Sequence, residues 1–227
     1  MITESKVTEI FCIADDFCKE FEVEMAKNAL PSSPEAPKRR RKRMMSDAEV
    51  ITILICFHFN TYRNFKHYYL SCVCGQWRHL FPRRFSYNRF VEVMPRCFVA
   101  LTMFLRLACF GECTGISFVD STCIPVIHNK REFNMKVFKG IAAKGKSTMG
   151  WYVGFKLHLL CNEKGELVNF VLTRANVDDR EESVIDTLTD KVFGKLYADK
   201  GYISQSLFGH LWDNGVHIVT GLRSNMK

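Results

Sequence analysis

The sequence predicts a mixed α/β domain preceded by a small all-helical one. Three observations carry this. Between residues 46 and 110 the apolar residues fall in long helix-like runs, with Pro82 and Pro95 as breaks. From Gly111 onward, short β-rich runs alternate with turns and one or two helices. Ahead of both lies a proline- and serine-rich segment that runs into consecutive positive charges, a composition suited to a linker. The expected organisation is an N-terminal helix in residues 1–30, a basic linker in 31–45, a helical domain in 46–110 and an α/β domain in 111–227.

Residues 5–27 read as an amphipathic helix with an acidic face. Residues 30–37 (LPSSPEAP) cannot continue it, and Lys38, Arg39, Arg40, Arg41, Lys42 and Arg43 form a run that repels itself and stays extended until it meets phosphate. Ser46 and Glu49 have capping-box spacing and open a helix through about Phe59, apolar on most sides and so expected in a core. Further helices are expected near 63–74 and 86–109. In the second half, residues 116–120 (ISFVD) read as a buried strand ending in an acid. Residues 151–161 and 167–173 read as a hairpin joined at Asn162-Glu163-Lys164-Gly165. Residues 179–190 read as a helix, with Asp179 and Glu182 at capping-box spacing. Residues 195–199 (KLYAD) form another strand ending in an acid, 205–214 a helix stopped by Gly215, and 216–222 a last strand. Strand, hairpin, helix, strand, helix, strand suggests a ribonuclease-H-like mixed sheet.

Composition narrows the function classes. With 47% hydrophobic and 25% charged residues the chain is neither disordered nor fibrous. Its longest stretch free of Asp, Glu, Lys and Arg covers residues 50–62, short of the roughly 20 residues of a membrane helix. Acids at positions 4, 9, 15 and 16 interrupt the place of a secretory signal, so a soluble intracellular protein is expected. The net charge of +8 is uneven: residues 1–30 carry −4, residues 31–110 carry +10 and residues 111–227 carry +2. A localised basic excess favours a polyanionic partner, or else is a solvated face. The ten cysteines are scattered, several within apolar runs (Cys56, Cys97, Cys161), as free thiols are. His67, Cys72, Cys74 and His79 have the side chains of a zinc site, but their Cys-x-Cys spacing disfavours one.

Asp120 and Asp199 each follow a β-rich run. An acid at the carboxyl end of a buried strand sits where α/β sheets bind ligands, and a buried carboxylate needs a partner or a cation. If the two strands are neighbours, both acids grip one divalent ion, for which Mg²⁺ (or Mn²⁺) suits the oxygen donors. A pair of such ions would serve phosphodiester cleavage. The other reading is that each Asp merely begins a turn.

At these residues the chain resembles the DDE transposases of bacterial insertion sequences. Four short motifs occur in order: Phe118-Val119-Asp120-Ser121-Thr122, Gly154-Phe155-Lys156-Leu157-His158, Ala175-Asn176-Val177-Asp178-Asp179-Arg180-Glu181 and Ala198-Asp199-Lys200-Gly201-Tyr202. In the first half, residues 46–51, 65–69 and 86–90 resemble the helical region that precedes the catalytic domain in one branch of that family. The resemblance implies a ribonuclease-H-like catalytic domain that cleaves and joins DNA at element ends with Mg²⁺ or Mn²⁺. It implies terminal inverted repeats and target DNA as partners, a homodimer or higher assembly, and a cytoplasmic, nucleoid-associated location. Asp120 and Asp199 match the first and second carboxylates of the triad. The third, a glutamate on a helix after the last strand, has no match, since the only acid after Asp199 is Asp213, ahead of that strand. The family's C-terminal Tyr, Arg, Glu and Lys signature also has no counterpart. The resemblance therefore implies a sheet domain lacking its last helices, truncated at the C-terminus and inactive alone. The alternatives are a non-catalytic DNA-binding repressor derived from such a transposase and a ribonuclease-H-like nuclease unrelated to transposition.

For DNA contact the expectation falls on Lys38, Arg39, Arg40, Arg41, Lys42 and Arg43 and on the pair Arg83 and Arg84. The run supplies salt-sensitive, sequence-tolerant affinity, and any base reading is expected from residues 46–110 in helix-turn-helix fashion. His158 is expected to be structural and beside the site, and His128 to occupy a turn or touch DNA. The acids 178, 179, 181 and 182 are expected to cap a helix and offset its dipole. Lys200 is either a phosphate contact or a solvated turn residue, and Gly201 a sharp exit from the strand. Residues 139–150 have no phosphate-cradling pattern.

Overall fold

The computed structural model describes residues 2–28, 43–134, 136–148, 150–202 and 204–221. The chain divides into two compact units, Met1–Cys109 and Phe110–Lys227. Of the expected basic linker, Lys38, Arg39, Arg40, Arg41 and Lys42 lie outside the described residues.

The first unit is all-helical. Helix α1 (Glu4–Lys27) starts where Thr3 accepts the Lys6 N–H at 3.3 Å. Its inward stripe is Val7, Ile10, Ala14 and Cys18, a helical repeat of three and four. That stripe joins the core built by the later helices, so residues 1–30 are not a segment apart. Helix α2 (Asp47–His58) carries the expected capping box: Ser46 Oγ accepts the Glu49 N–H at 3.1 Å, and Glu49 Oε2 accepts the Ser46 N–H at 2.7 Å. It is apolar almost all round and central to the core. The helix expected near 63–74 is one turn of α-helix, α3 (Phe65–Tyr68), followed by a π-helical stretch, Tyr69–Gln76. Tyr68 at the end of α3 is buried, and the wider winding turns Tyr69, Cys72 and Val73 inward. Tyr68 and Tyr69 are fully buried and place their hydroxyls on Ile53 O (3.0 Å) and Phe85 O (2.8 Å). The region 86–109 is not one helix. Pro95 tightens the chain to 3-10 geometry over Met94–Cys97, between α4 (Tyr87–Val93) and α5 (Phe98–Ala108). Burial pushes the thiols of Cys18 and Cys97 up to about 11 and that of Cys56 up to about 12.

The second unit is a mixed six-stranded sheet: β1 (Ile116–Ile127), β2 (Ala143–Ser147), β3 (Gly150–Asn162), β4 (Leu167–Arg174), β5 (Gly194–Ala198) and β6 (Val216–Thr220). β3 pairs with β1 along one edge, and with β2 and β4 end to end along the other. β1 then pairs parallel with β5, and β5 with β6. An antiparallel hairpin region joined to a parallel β1-β5-β6 set is the ribonuclease-H-like plan. Helices α6 (Glu182–Thr189) and α7 (Gln205–Asp213) supply Val184, Ile185, Leu188, Leu207 and Leu211 to a core that also holds Val119, Leu160, Leu196 and Val216. Gly215, with φ +78°, ends α7 as expected.

Three sequence expectations need correction. β1 does not end at Asp120 but continues to Ile127, because beyond Val119 it has only β3 as a neighbour and tolerates Pro125 on its free side. At that stretch Gly154 lets the two backbones close up, since a Cβ there would lie 2.1 Å from Ile124 O. β2 was not expected: AKGKS lacks apolar alternation, as edge strands guarded by lysine do. Helix α6 begins at Glu182 rather than Asp179 and has no capping box.

Leu160 has 0% exposure and packs at the centre of the second core. Leu160→Ala is expected to cost about 2–5 kcal/mol, read as a lower urea midpoint at unchanged slope.

Candidate active site

Alternation along β1 puts Ser117 and Val119 on the helix-covered face and Phe118 and Asp120 on the other. The parallel register runs from Ile116 opposite Lys195 to Val119 opposite Ala198. Asp120 and Asp199 are the residues that directly follow that last pair, Asp120 still within β1 and Asp199 the first residue past β5. Phe118 and Tyr197, one pair earlier, stack with ring centres 5.3 Å apart. Both aspartates are exposed. Asp120 Oδ1 accepts the Ser121 N–H at 2.7 Å, and Asp199 O accepts the Tyr202 N–H at 3.0 Å, closing a 3-10 turn over Lys200–Tyr202. The two carboxylates are hard oxygen donors of the kind that a divalent cation such as Mg²⁺ takes. Among the described residues no third His, Cys, Asp or Glu joins them as a metal-holding group.

On the opposite, helix-covered face lies a polar cluster. His158, opposite Ser121 on β1, has 0% exposure, and its Nε2 is 3.0 Å from Thr173 Oγ1. Its Nδ1 has no hydrogen-bond partner and lies 3.8 Å from Asp179 Oδ1. Lys156 donates to Val177 O at 2.7 Å and stands 2.9 Å from the same Asp179 oxygen, as an ion pair outside hydrogen-bond geometry. Burial pulls the His158 imidazole below its ordinary value; Asp179 opposes this, and Lys156 adds to it. The buried hydroxyls of Tyr152 and Tyr202 also lack hydrogen-bond partners, and burial raises both above the usual phenol range. The sequence reading of His158 as structural agrees with its burial. Asp179, read there as a cap, instead turns inward to Lys156 and His158. Asp178 is clamped by Arg180, two contacts of 2.9 Å, which hold its carboxyl well below the usual range. The overlooked signal was a lysine and a histidine two apart in a buried strand, which need an anion nearby.

The remaining candidates separate. Cys72 Sγ contacts the Tyr62 hydroxyl (3.6 Å) and Gln76 Oε1 (3.5 Å), His79 lies 3.2 Å from Glu4, and the His67 ring sits edge-on to Tyr62. His128 occupies a turn, its Nδ1 accepting the Lys130 N–H at 3.3 Å. Gly201 does not have a positive φ, so it is not a strained exit; a side chain there would meet only open space. Arg43 is drawn to Asp47 at 2.7 Å, Arg83 is exposed, and Arg84 donates to Phe81 O at 3.2 Å.

Residues 110–227 match the family described as Transposase DDE domain. The chain belongs to the DDE transposase family. Among solved structures, this transposase-family chain is similar to the piggyBac transposase in a synaptic complex with hairpin DNA, with a TM-score of 0.47 and 13% identity over 99% of this chain and 50% of that one. It is also similar to the Mos1 transposase in a paired-end complex with the left transposon end, with a TM-score of 0.29 and 12% identity over 89% of this chain and 66% of that one. The Mos1 strand transfer complex gives a TM-score of 0.28 and 10% identity, covering 96% and 77%. The chain thus spans half the length of the piggyBac protein and 66% of the first Mos1 chain. No curated protein sequence matches. Among the described residues no helix is long and apolar enough to cross a membrane.

The His158 shift has a defined sign. Its folded value lies below the unfolded value near 6.5, so the unfolded chain takes up the proton first as pH falls. The stabilisation is complete above about 6.5 and is lost as pH drops through the lower folded value. The urea midpoint of the wild-type chain is expected to fall between about pH 7 and pH 5, and His158→Gln to flatten that part of the curve.

Proposed function

We propose that this chain is the transposase of an insertion sequence, acting on DNA at the element's ends with Asp120 and Asp199 as its first two metal-holding carboxylates. The observation that supports the reading is the parallel β1–β5 register, whose last pair, Val119 opposite Ala198, immediately precedes two acids 79 positions apart in sequence. A divalent ion, Mg²⁺ or Mn²⁺, when bound, would supply activation of the attacking oxygen and charge stabilisation at the phosphodiester. The chain's own part is positional. Asp120 is oriented by the Ser121 N–H, Asp199 is fixed by the turn through Tyr202, and Phe118 and Tyr197 give the pair a rigid apolar neighbour. Terminal repeats and target DNA are the substrates in this reading, and joining two ends calls for at least a dimer. Lys38, Arg39, Arg40, Arg41, Lys42, Arg43, Arg83 and Arg84 supply the electrostatic share of DNA affinity. Arg43 contributes least among them, because Asp47 already neutralises it.

A second reading, a non-catalytic DNA-binding repressor, is favoured by one observation: among the described residues no group of three or more His, Cys, Asp or Glu is placed to hold a metal ion. Two oxygen-donor side chains hold a single ion weakly. The purified 227-residue chain is therefore expected to leave terminal-repeat DNA uncut in Mg²⁺ or Mn²⁺ while still binding it in EDTA. Nicking by this chain, abolished in Asp120→Asn, would overturn the inactivity and keep the carboxylate assignment.

Mn²⁺ binding followed by electron paramagnetic resonance tests the pair without any turnover. One weak site is expected, lost in Asp120→Asn and in Asp199→Asn; a site that survives both changes removes the assignment. For the basic run, replacing Lys38, Arg39 and Arg40 with alanine is expected to reduce the slope of log affinity against log salt by up to about 2.7, roughly 0.9 for each duplex phosphate no longer neutralised. An unchanged slope would exclude those three residues from the interface.

A further inference from the structure

The transposition reading leaves a cleft of about 560 Å³ in the second unit unassigned. One wall is the unpredicted edge strand β2 with the start of β3, carrying Lys144, Lys146 and Trp151. Another is the loop after β4, with Asn176 and Arg180, and Gly201 lies on the rim two residues past Asp199. Trp151 is 55% exposed, an unusual state for so large an apolar ring. The Lys144 and Lys146 ammonium groups stand 5.8 and 5.9 Å from its ring centre, on either side of one residue, so they project about 7 Å apart along the strand. Lys144 is shared with Glu132 at 3.0 Å, while Lys146 makes no ion pair among the described residues. Within the cleft the other charges are already compensated: Lys156 faces Asp179, and Arg180 faces Asp178. What is left over is a half-exposed aromatic ring with two ammonium groups drawn to it, of which only Lys144 also has an ion pair among the described residues.

That combination has a specific ligand chemistry. A π-face bordered by cations takes a nucleobase by stacking and the adjoining phosphates by charge, and it selects for bases that are not already stacked in a duplex. Free anions would use the lysines but not the ring; a duplex would use the charges but bury its bases away from Trp151. Gly201 keeps the rim clear, because a side chain there would project into open space rather than against protein.

We propose that this cleft is a single-strand site: Trp151 stacks on an unpaired base of a DNA strand whose phosphates meet Lys146 and Lys144. The inference deepens the DNA-acting reading above and rests on it for its biological setting, but its test needs neither metal nor the two aspartates.

The full chain is titrated in EDTA with unlabelled oligothymidylate, or with a blunt duplex of equal length, and tryptophan emission is followed. Stacking quenches the ring it covers. Of the three tryptophans, Trp77 is buried and Trp151 and Trp212 are exposed, so single changes assign the signal. Quenching by the single strand but not the duplex is expected, lost in Trp151→Phe and kept in Trp212→Phe. Lys146→Glu should raise the oligonucleotide concentration at half-quenching by about tenfold, within the range that one base–aromatic and phosphate contact supplies. Quenching that persists in Trp151→Phe, or that the duplex produces equally, overturns the proposal. Asp120→Asn should leave the quenching intact; if the wild-type chain shows no Mn²⁺ site but quenching holds, only the carboxylate assignment falls.

Discussion

The site depends on a short parallel pairing. Four residue pairs join β1 to β5, and they end where the acids begin. Both acids are exposed, and the stacked Phe118 and Tyr197 lie on the ladder just before them. Because side chains alternate along a strand, slippage by a single residue would send one acid to the helix-covered side. The ladder is anchored by Ser117, Val119 and Leu196, all turned into the core. Asp120 and Asp199 thus inherit their placement from apolar burial on the face they do not occupy.

The elements legible in the sequence were those whose local signals and tertiary setting agree. The capping box at Ser46 and Glu49 opened α2 because nothing else competes for those side chains. The hairpin of β3 and β4 followed from apolar runs on both sides of Asn162-Glu163-Lys164-Gly165, with Gly165 at φ +78°. The readings that failed are those in which a distant partner decides. Asp179 has the spacing of a cap, yet it faces Lys156 and His158 on a strand about 20 residues earlier, and an ion pair with a half-buried lysine outweighs an exposed cap. The acid at Asp120 suggested that β1 had stopped, and only its pairing with β3 as far as Ile127 shows that it continues. Of the site itself, the two aspartates were visible as acids after β-rich runs. Lys144, Lys146 and Trp151 were not, since an edge strand of AKGKS has no periodicity to read.

The two faces of the sheet divide the polar chemistry between them. On the open face the acids are solvated and adjustable. On the covered face His158, Tyr152 and Tyr202 keep polar atoms without partners, an arrangement that costs stability unless water or a moving side chain completes it. Tyr202 belongs to both settings: its amide closes the turn after Asp199, and its ring is packed in the core. Motion of that buried ring would therefore be felt at the second carboxylate through the backbone of the turn as well as through its charge.

The thiols of the helical unit carry a practical consequence. Cys18, Cys56 and Cys97 are enclosed and hold their protons well into alkaline solution, so at neutral pH they have almost no thiolate to offer a maleimide or an oxidant. Cys12 and Cys109 stand at the surface. Spin or fluorescent labels can thus be attached to the native fold at those outer positions without first replacing Cys18, Cys56 and Cys97, whereas part-exposed Cys113, whose hydrogen bonds hold its thiol below the ordinary value, would compete for them.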